Sequence, residues 1–226
     1  MSNSKVVRLP AKQQIPGIMS ELQAAADMLQ GVGWGVSVFG SARIRPESIY
    51  YQLAEELGAR LAKAGLTVIA GGGPGIMEAA NKGAFQAGGH SIGLNIKLPR
   101  EASNNQYQTH SLSFDYFYSR KATFFMHSAA YIALPGGFGT LDELFEVLTL
   151  VQTRKIPHAP IVLIGASFWQ GLLSWMQDNL LANKLISPGD LDLMLVTDNI
   201  DEVMQHIERY CTQNPEVRDC APILPS

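Results

Sequence analysis

Short apolar runs alternate with amphipathic helical segments along most of the chain, and this alternation limits the possible folds more than any other feature. Parallel strands need a crossover connection, usually a helix, so a regular strand–helix alternation is typical of a parallel sheet covered on both faces. The sequence therefore predicts an α/β fold with one doubly wound parallel sheet. The predicted strands are Val36–Phe39, Leu66–Ala70, His90–Ile96, Tyr107–Phe114, Ala130–Leu134, Ile161–Ile164 and Leu193–Val196.

The chain divides into one folded domain and two peripheral segments. At about 100–200 residues per domain, its length fits one large domain or two small ones. Composition does not change in a linker-like way between Val36 and Cys211. We therefore expect a single Rossmann-like domain over residues 18–211, a flexible lead-in at 1–17 and a loose tail at 212–226. The predicted helices are Ile18–Leu29, Glu47–Ala64, Ile76–Ala87, Ser119–Ser128, Thr140–Thr153, Trp169–Leu181 and Ile200–Cys211.

The composition argues against several functional classes. A formal charge of −3 is atypical of nucleic-acid-binding proteins, which carry a surplus of basic residues. No apolar run is long enough to span a bilayer, and the first 17 residues lack the apolar stretch of a signal peptide. Two cysteines, and five histidines without ligand spacing, predict neither a disulfide framework nor a metal site. We expect a cytoplasmic protein that binds neither nucleic acids nor membranes.

Two glycine-rich loops, at residues 71–75 and 136–139, each lie between a predicted strand and a predicted helix. Glycine lets the backbone approach a ligand closely, and the start of a helix offers free N–H groups and a positive dipole end. Such loops can also exist only to permit tight packing of strand and helix. Two of them in one domain nevertheless favour an anionic, nucleotide-like ligand between them.

The common nucleotide-binding motifs do not fit these loops. The GxxxxGK[ST] motif is absent because the chain contains no Gly-Lys dipeptide. The GxGxxG fingerprint fails in both loops, because its third glycine position is occupied by Ile76 in the first and by Asp142 in the second. A Walker-type triphosphatase and a redox enzyme that uses NAD(P) are therefore both disfavoured.

The second loop is followed directly by two carboxylates, Asp142 and Glu143. Thr140 and Glu143 have the spacing of a capping box, in which Thr140 would cap the helix and Glu143 would bond back to it. The alternative is that Glu143 acts chemically, by orienting water or by stabilising positive charge on a ribose ring. Spacing alone leaves both readings open.

A basic pair, Arg120-Lys121, stands near the start of a predicted helix, where cations are disfavoured by the helix dipole. This local conflict indicates a nearby anion, and an arginine can bind phosphate with its bidentate fork. Arg43, after the first strand, and Glu78, after the first glycine loop, are weaker candidates by position.

The residues Pro135 to Glu143, PGGFGTLDE, resemble the PGGxGTxxE motif of the LOG (Lonely Guy) family, which was long described as lysine decarboxylases. Arg120-Lys121 and the stretch GGGPGIME at 71–78 fall where that family has its other two signatures. The resemblance extends from about residue 36 to 207. The chain has GGGPGIMEA where the plant-type members have GGGxxGLMG, and in this respect it resembles the longer bacterial branch of the family.

This resemblance implies hydrolysis of the N-glycosidic bond of a nucleoside 5′-monophosphate, either a cytokinin riboside monophosphate or AMP, with no metal or organic cofactor. It implies Arg120 and Glu143 as the catalytic pair. The residues implied for the phosphate are Gly136, Gly137, Gly139 and Thr140. Those implied for the rest of the nucleotide pocket are Gly72, Gly73, Met77, Glu78, Ser41 and Lys121.

Two further expectations concern rivals and partners. If Glu143 only caps its helix, the same loops would suit a non-catalytic nucleotide sensor or carrier. The aromatic run at 114–118 and the apolar helix at 140–153 could form a self-complementary surface, and the LOG resemblance implies a homodimer or higher homo-oligomer. A decarboxylase would need a pyridoxal-phosphate lysine, for which Lys121 is the one loop-adjacent candidate.

Overall fold

Seven parallel strands form one sheet in the computed structural model, which describes residues 10–98 and 104–215. The strand order is β4-β3-β2-β1-β5-β6-β7. The strands are β1 (Gly35–Phe39), β2 (Thr67–Ala70), β3 (Ser91–Ile96), β4 (His110–Phe114), β5 (Ser128–Ala133), β6 (Ile161–Leu163) and β7 (Met194–Val196). All seven predicted strands are therefore present, and the predicted α/β class with a parallel sheet is confirmed.

Seven α-helices cover the sheet in the described part of the chain. They are α1 (Ala11–Met28), α2 (Ile49–Lys63), α3 (Ile76–Gln86), α4 (Phe117–Met126), α5 (Phe138–Gln152), α6 (Ala166–Trp175) and α7 (Ile200–Gln213). A π-helical segment, Met176–Leu181, continues α6, and a 3₁₀ segment, Pro188–Leu193, precedes β7. None of the helices described is both long and apolar enough to cross a membrane. The cytoplasmic location stays a prediction.

The two faces of the sheet carry two hydrophobic cores, because successive strand side chains point in opposite directions. On one face, Phe39 and Ile69 pack with side chains of α1, α4, α5 and α6. On the other, Val36 and Val38 pack with α2, α3 and α7. Helices on both faces are what the doubly wound prediction requires.

The strand order reverses between β1 and β5, which makes this the topological switch point. The two strands pair in register, with Phe39 opposite Ala133, so the chain segments that follow them leave the sheet side by side. The backbone N–H of Ser41 donates to the carbonyl of Pro135 at 3.1 Å. In sheets of this kind, ligands bind in the crevice beyond the carboxyl ends of the strands at the switch point.

The first helix differs from its prediction. It begins at Ala11, not at Ile18, and contains Pro16, so the part of the predicted lead-in from residue 11 onward is helical. The longer helix packs against the segment that leads into α4: Gly17 lies against the ring of Tyr116, where a Cβ would collide with that ring, and the Glu21 carboxylate accepts hydrogen bonds from the Asp115 backbone and the Ser119 hydroxyl. This support comes from residues far along the chain and leaves no periodic signal in α1 itself. The predicted start of the loose tail at residue 212 is also wrong, because α7 continues to Gln213. Residues 1–9 of the lead-in and residues 216–226 of the tail lie outside the described residues.

Candidate active site

A cavity of about 670 Å³ opens at the carboxyl ends of β1, β2, β3 and β5. Its volume falls in the range typical of small-molecule sites, and its position is the switch point described above. Eight of the twelve predicted site residues line it: Ser41, Gly73, Met77, Arg120, Gly137, Gly139, Thr140 and Glu143. The tertiary structure therefore brings both glycine loops and the two charged candidates to one place.

The second glycine loop leads directly into α5, which begins at Phe138 with Gly137 as its N-cap. Thr140 lies inside the first turn, so the predicted role of Thr140 as N-cap is wrong. Gly137 has no side chain with which to cap the helix, and the first-turn N–H groups of an α-helix have no partner within the helix. Gly136 lacks a Cβ that would collide with the Thr140 hydroxyl, which lets the loop fold tightly over that side chain. The start of α5 can therefore donate several N–H groups to an anion.

The first glycine loop is held in place by its neighbours. Gly75 has φ +70°, and a Cβ there would collide with the Ser41 carbonyl. The same carbonyl accepts the N–H of Ile76 at 3.1 Å, so the first turn of α3 is tied to the loop after β1. A residue with a side chain at Gly75 would push the two loops apart and widen the cavity.

Two amides that the sequence reasoning missed support the first loop from below. Asn105 donates its backbone N–H to the Gly72 carbonyl at 2.8 Å and its side-chain amide to the Gly73 carbonyl at 3.0 Å. Gln108 also donates to the Gly72 carbonyl, at 3.0 Å. In the sequence they belong to a run of polar amide residues before β4. The spacing of this run does not indicate which backbone carbonyls the amides bind.

Arg120 crosses the floor of the cavity and is almost fully buried, with 7% of its surface exposed. Its Nε donates to the Leu94 carbonyl at 2.7 Å, and one terminal nitrogen donates to the Gly71 carbonyl at 3.3 Å. The guanidinium also lies over the ring of Phe124, with Cζ 5.4 Å from the ring centroid. Burial lowers the pKa of Arg120, and the nearby Glu143 carboxylate opposes this shift. The guanidinium is thereby fixed in one orientation.

Glu143 points to Arg120, not back to the start of its own helix. Its Oε1 lies 3.6 Å from a terminal nitrogen of Arg120, and its side chain is 13% exposed. Burial raises the pKa of Glu143 to about 7, an effect that the positive charge of Arg120 reduces. The capping-box reading is therefore wrong, since this carboxylate lies in the cavity. A carboxyl group with a pKa near neutrality is suited to proton transfer or to charge stabilisation at physiological pH.

Four predicted site residues do not line the cavity. The Lys121 ammonium is bound by Asp142 at 3.0 Å and by Glu146 at 2.6 Å, on the outer side of α4 and α5. Glu78 accepts the hydroxyl of Tyr51 at 3.1 Å. Gly72 and Gly136 are not among the residues that line the cavity. Adjacent helical residues point about 100° apart, which explains why Arg120 enters the cavity and Lys121 does not.

Fold and cavity together define a doubly wound α/β protein with a cavity of small-molecule size at its switch point. Residues 77–207, more than half of the chain, match the model of the family described as "Possible lysine decarboxylase". The chain belongs to this family, and the predicted membership of the LOG family is confirmed.

Two curated relatives are similar over most of their length. The cytokinin riboside 5′-monophosphate phosphoribohydrolase LOG1 of Arabidopsis thaliana is 31% identical, covering 80% of this chain and 86% of that protein. The probable cytokinin riboside 5′-monophosphate phosphoribohydrolase LOGL6 of Oryza sativa subsp. japonica is also 31% identical, covering 85% of this chain and 78% of that protein.

A solved structure shares the fold at lower identity. The molybdenum cofactor binding protein of Rippkaea orientalis has a TM-score of 0.58 and 22% identity, over 79% of this chain and 97% of that chain. At this identity the likeness supports the fold and leaves the ligand open.

Proposed function

We propose that the protein hydrolyses the N-glycosidic bond of a nucleoside 5′-monophosphate and releases the free base and ribose 5-phosphate. The observation that carries this proposal is the buried Arg120–Glu143 pair, which lies in the same cavity as the glycine loop at the start of α5. The names of the two curated relatives support a phosphoribohydrolase. We propose a cytokinin riboside 5′-monophosphate, AMP or both as the substrate.

The proposed chemistry assigns a role to each group. Cleavage of a glycosidic bond develops positive charge on the ribose ring, and a carboxylate is the usual group that stabilises this charge or activates water. Glu143 supplies the carboxylate, and Arg120 holds it in place and offsets negative charge on the departing base. The N–H groups at the start of α5 bind the phosphate. Phosphate binding, remote from the broken bond, orients the sugar for reaction.

The base would lie against the apolar part of the cavity. Ile96, Leu98 and Phe117 line it together with Met77 of the first loop. These side chains suit a planar purine, and an apolar substituent on the purine would extend the contact.

A decarboxylase is not supported by the site, despite the family's description. In the described residues, no lysine lines the cavity, and Lys121 is bound to two carboxylates outside it. A pyridoxal-phosphate reaction needs a lysine that can reach the cofactor.

The second candidate is a non-catalytic nucleotide-binding protein. The fold shared with a molybdenum cofactor binding protein favours this alternative, because it shows the same architecture in a protein named for binding. The buried Arg120–Glu143 pair argues for the enzyme, since binding of an anion alone does not require a carboxylate in the cavity.

The proposal is tested with the purified protein and a panel of nucleoside 5′-monophosphates that includes AMP and isopentenyladenosine 5′-monophosphate. We expect release of the free base and an equal amount of ribose 5-phosphate, and no release from the unphosphorylated nucleosides. Binding without release of base would establish the second candidate. Failure to cleave any member of the panel would refute the hydrolase.

We also propose that the protein is a homodimer or a higher homo-oligomer. Tyr118 and Met126 on α4 are 69% and 58% exposed, and Phe145 on α5 is 36% exposed, an amount of apolar surface that a second copy could cover. Phe114 of the predicted aromatic cluster lies instead in the core, 1% exposed. Light scattering should give a mass at least twice 24.6 kDa. A measured mass of 24.6 kDa, that of a monomer, would reject the proposal.

A further inference from the structure

The charged residues that line the cavity differ in whether they have a partner of opposite charge within the protein. Within the described residues there are three of them: Arg43, Arg120 and Glu143. Arg120 is held by two carbonyls and faces Glu143. Arg43 forms no ion pair with any residue of 10–98 or 104–215, and it is exposed at the cavity wall. Among the described residues, it is therefore the positive charge of the cavity that no carboxylate compensates.

Arg43 belongs to a short loop that is fixed between the two glycine loops. Ser41 donates its N–H to Pro135 at 3.1 Å and accepts the N–H of Ile76 at 3.1 Å, which ties this loop to both neighbours. The Ser41 hydroxyl accepts the backbone N–H of Arg43 at 3.0 Å. The backbone of Arg43 is thus held at the switch point, and the residue lines the cavity.

Three helices, α3, α4 and α5, begin at the cavity, and they are not equally free to bind an anion. The start of α4 already faces the Glu21 carboxylate. At the start of α3, the first N–H is already used by Ser41. At the start of α5, the N-cap is Gly137, which has no side chain to cap the helix. An anion in the cavity is therefore favoured at the start of α5, where a helix end contributes about half a positive charge.

We infer that Arg43 binds the phosphate of the substrate and selects phosphorylated over unphosphorylated ligands. The identity of the anion rests on the proposed function. A phosphate monoester carries a charge of about −1.5 to −2 at neutral pH. When Glu143 is ionised, it compensates Arg120, and the end of α5 supplies too little charge by itself. Arg43 supplies the remainder, with a planar fork that matches two phosphate oxygens.

Arg45 offers a matched control for this inference. It is exposed, lies two residues further along the same loop and does not line the cavity. Arg43→Gln and Arg45→Gln each remove one positive charge, so their effects on the long-range potential of the protein are equal. Calorimetry at fixed ionic strength would measure the Kd of AMP, adenosine and inorganic phosphate for both variants and the unmodified protein.

We expect Arg43→Gln to raise the Kd of AMP about tenfold or more, as expected for loss of a charge-assisted pair. The Kd of inorganic phosphate should rise in parallel, that of adenosine should stay unchanged, and Arg45→Gln should change each by less than about twofold. Equal weakening by the two variants, or equal weakening of adenosine and AMP, would overturn the inference.

The assays also separate this inference from the proposed function. If the unmodified protein cleaves AMP and Arg43→Gln binds AMP as well as it does, the hydrolase stands and the role of Arg43 is wrong. If AMP is bound but not cleaved, and Arg43→Gln alone weakens it, the role of Arg43 stands and the hydrolase is wrong. Absence of binding of both AMP and inorganic phosphate would overturn both.

Discussion

Replacing Glu143 by glutamine should stabilise the protein while it lowers kcat about 10²–10³-fold. Burial raises the pKa of this carboxyl group from 4.5 to about 7. At 1.36 kcal/mol per pKa unit, the ionised form costs the folded state about 3 kcal/mol above pH 7. Glutamine has nearly the same shape and carries no charge, so Glu143→Gln removes this cost. The stabilisation is a direct consequence of the burial that prepares Glu143 for chemistry.

The sign of the pH dependence follows from the raised pKa. Below pH 4.5, the carboxyl group is protonated in both the folded and the unfolded chain, and Glu143→Gln has no effect. As the pH rises from 4.5 to 7, the unfolded chain loses this proton first, so the folded state is progressively destabilised. Unfolding by urea should therefore show Glu143→Gln more stable by about 1 kcal/mol at pH 5 and by about 3 kcal/mol at pH 8.

Glu146→Gln is the control, because Glu146 lies one turn further along α5 and pairs with Lys121. It loses an ion pair outside the cavity, so we expect no stabilisation at pH 8. If Glu143→Gln lowers the free energy of unfolding equally at pH 5 and pH 8, the burial argument is refuted, and Glu143 serves to support the fold.

The activity of the same variants completes the test. Loss of one group that stabilises transition-state charge reduces kcat about 10²–10³-fold, and AMP should still bind to Glu143→Gln. For the unmodified protein, kcat/KM should rise with pH as Glu143 ionises, reach half of its plateau near pH 7 and level off about one pH unit higher. Full activity in Glu143→Gln would remove Glu143 from the proposed mechanism.

Two further predictions concern stability. Gly72→Ala should lower the free energy of unfolding by about 2 kcal/mol or more, since Gly72 has φ +77° and a Cβ there would collide with Asn95. Gly88→Ala is the control, because Gly88 has φ +78° and open space around it, so this variant measures the cost of the dihedral angle alone. An equal loss of stability for the two variants in urea unfolding would contradict the steric argument. Glu21→Gln should lower the free energy of unfolding by about 1 kcal/mol, because an uncharged amide oxygen replaces a carboxylate at the positive end of α4. An unchanged unfolding midpoint would show that α1 does not support α4 through this residue.

The strands and most helices could be predicted because their signals are local. Leu53, Leu57 and Leu61 repeat at helical spacing, and α2 forms where they predict it. The strand Ile161–Leu163 is a short apolar run between breaks and is buried on both faces. Helix ends were less accurate. The start of α1 depends on contacts with α4, and the end of α6 depends on the π-helical continuation over residues 176–181.

The sequence predicted the candidate site in part, and the wrong predictions share one cause, which is that contacts between residues far apart in the chain leave no local signal. The glycine loops, Arg120 and Glu143 have local signals, because their residue types are unusual at those positions. The choice between capping and catalysis for Glu143 does not, since both readings have the same spacing. Lys121 and Glu78 also satisfy the sequence pattern, but each binds another side chain of the same chain and does not line the cavity.

The amino-acid sequence by itself determined the alternation of strands and helices, the two loops with glycine at their turns, and the chemical groups available to the site. These properties depend on neighbouring residues and on backbone freedom, which short stretches of chain encode. Only the tertiary structure decided that Glu143 faces Arg120, that Lys121 does not enter the cavity, and that Arg43 borders it without an ion pair among the described residues. Such outcomes depend on desolvation and on contacts between residues far apart in the chain, and no local pattern contains them.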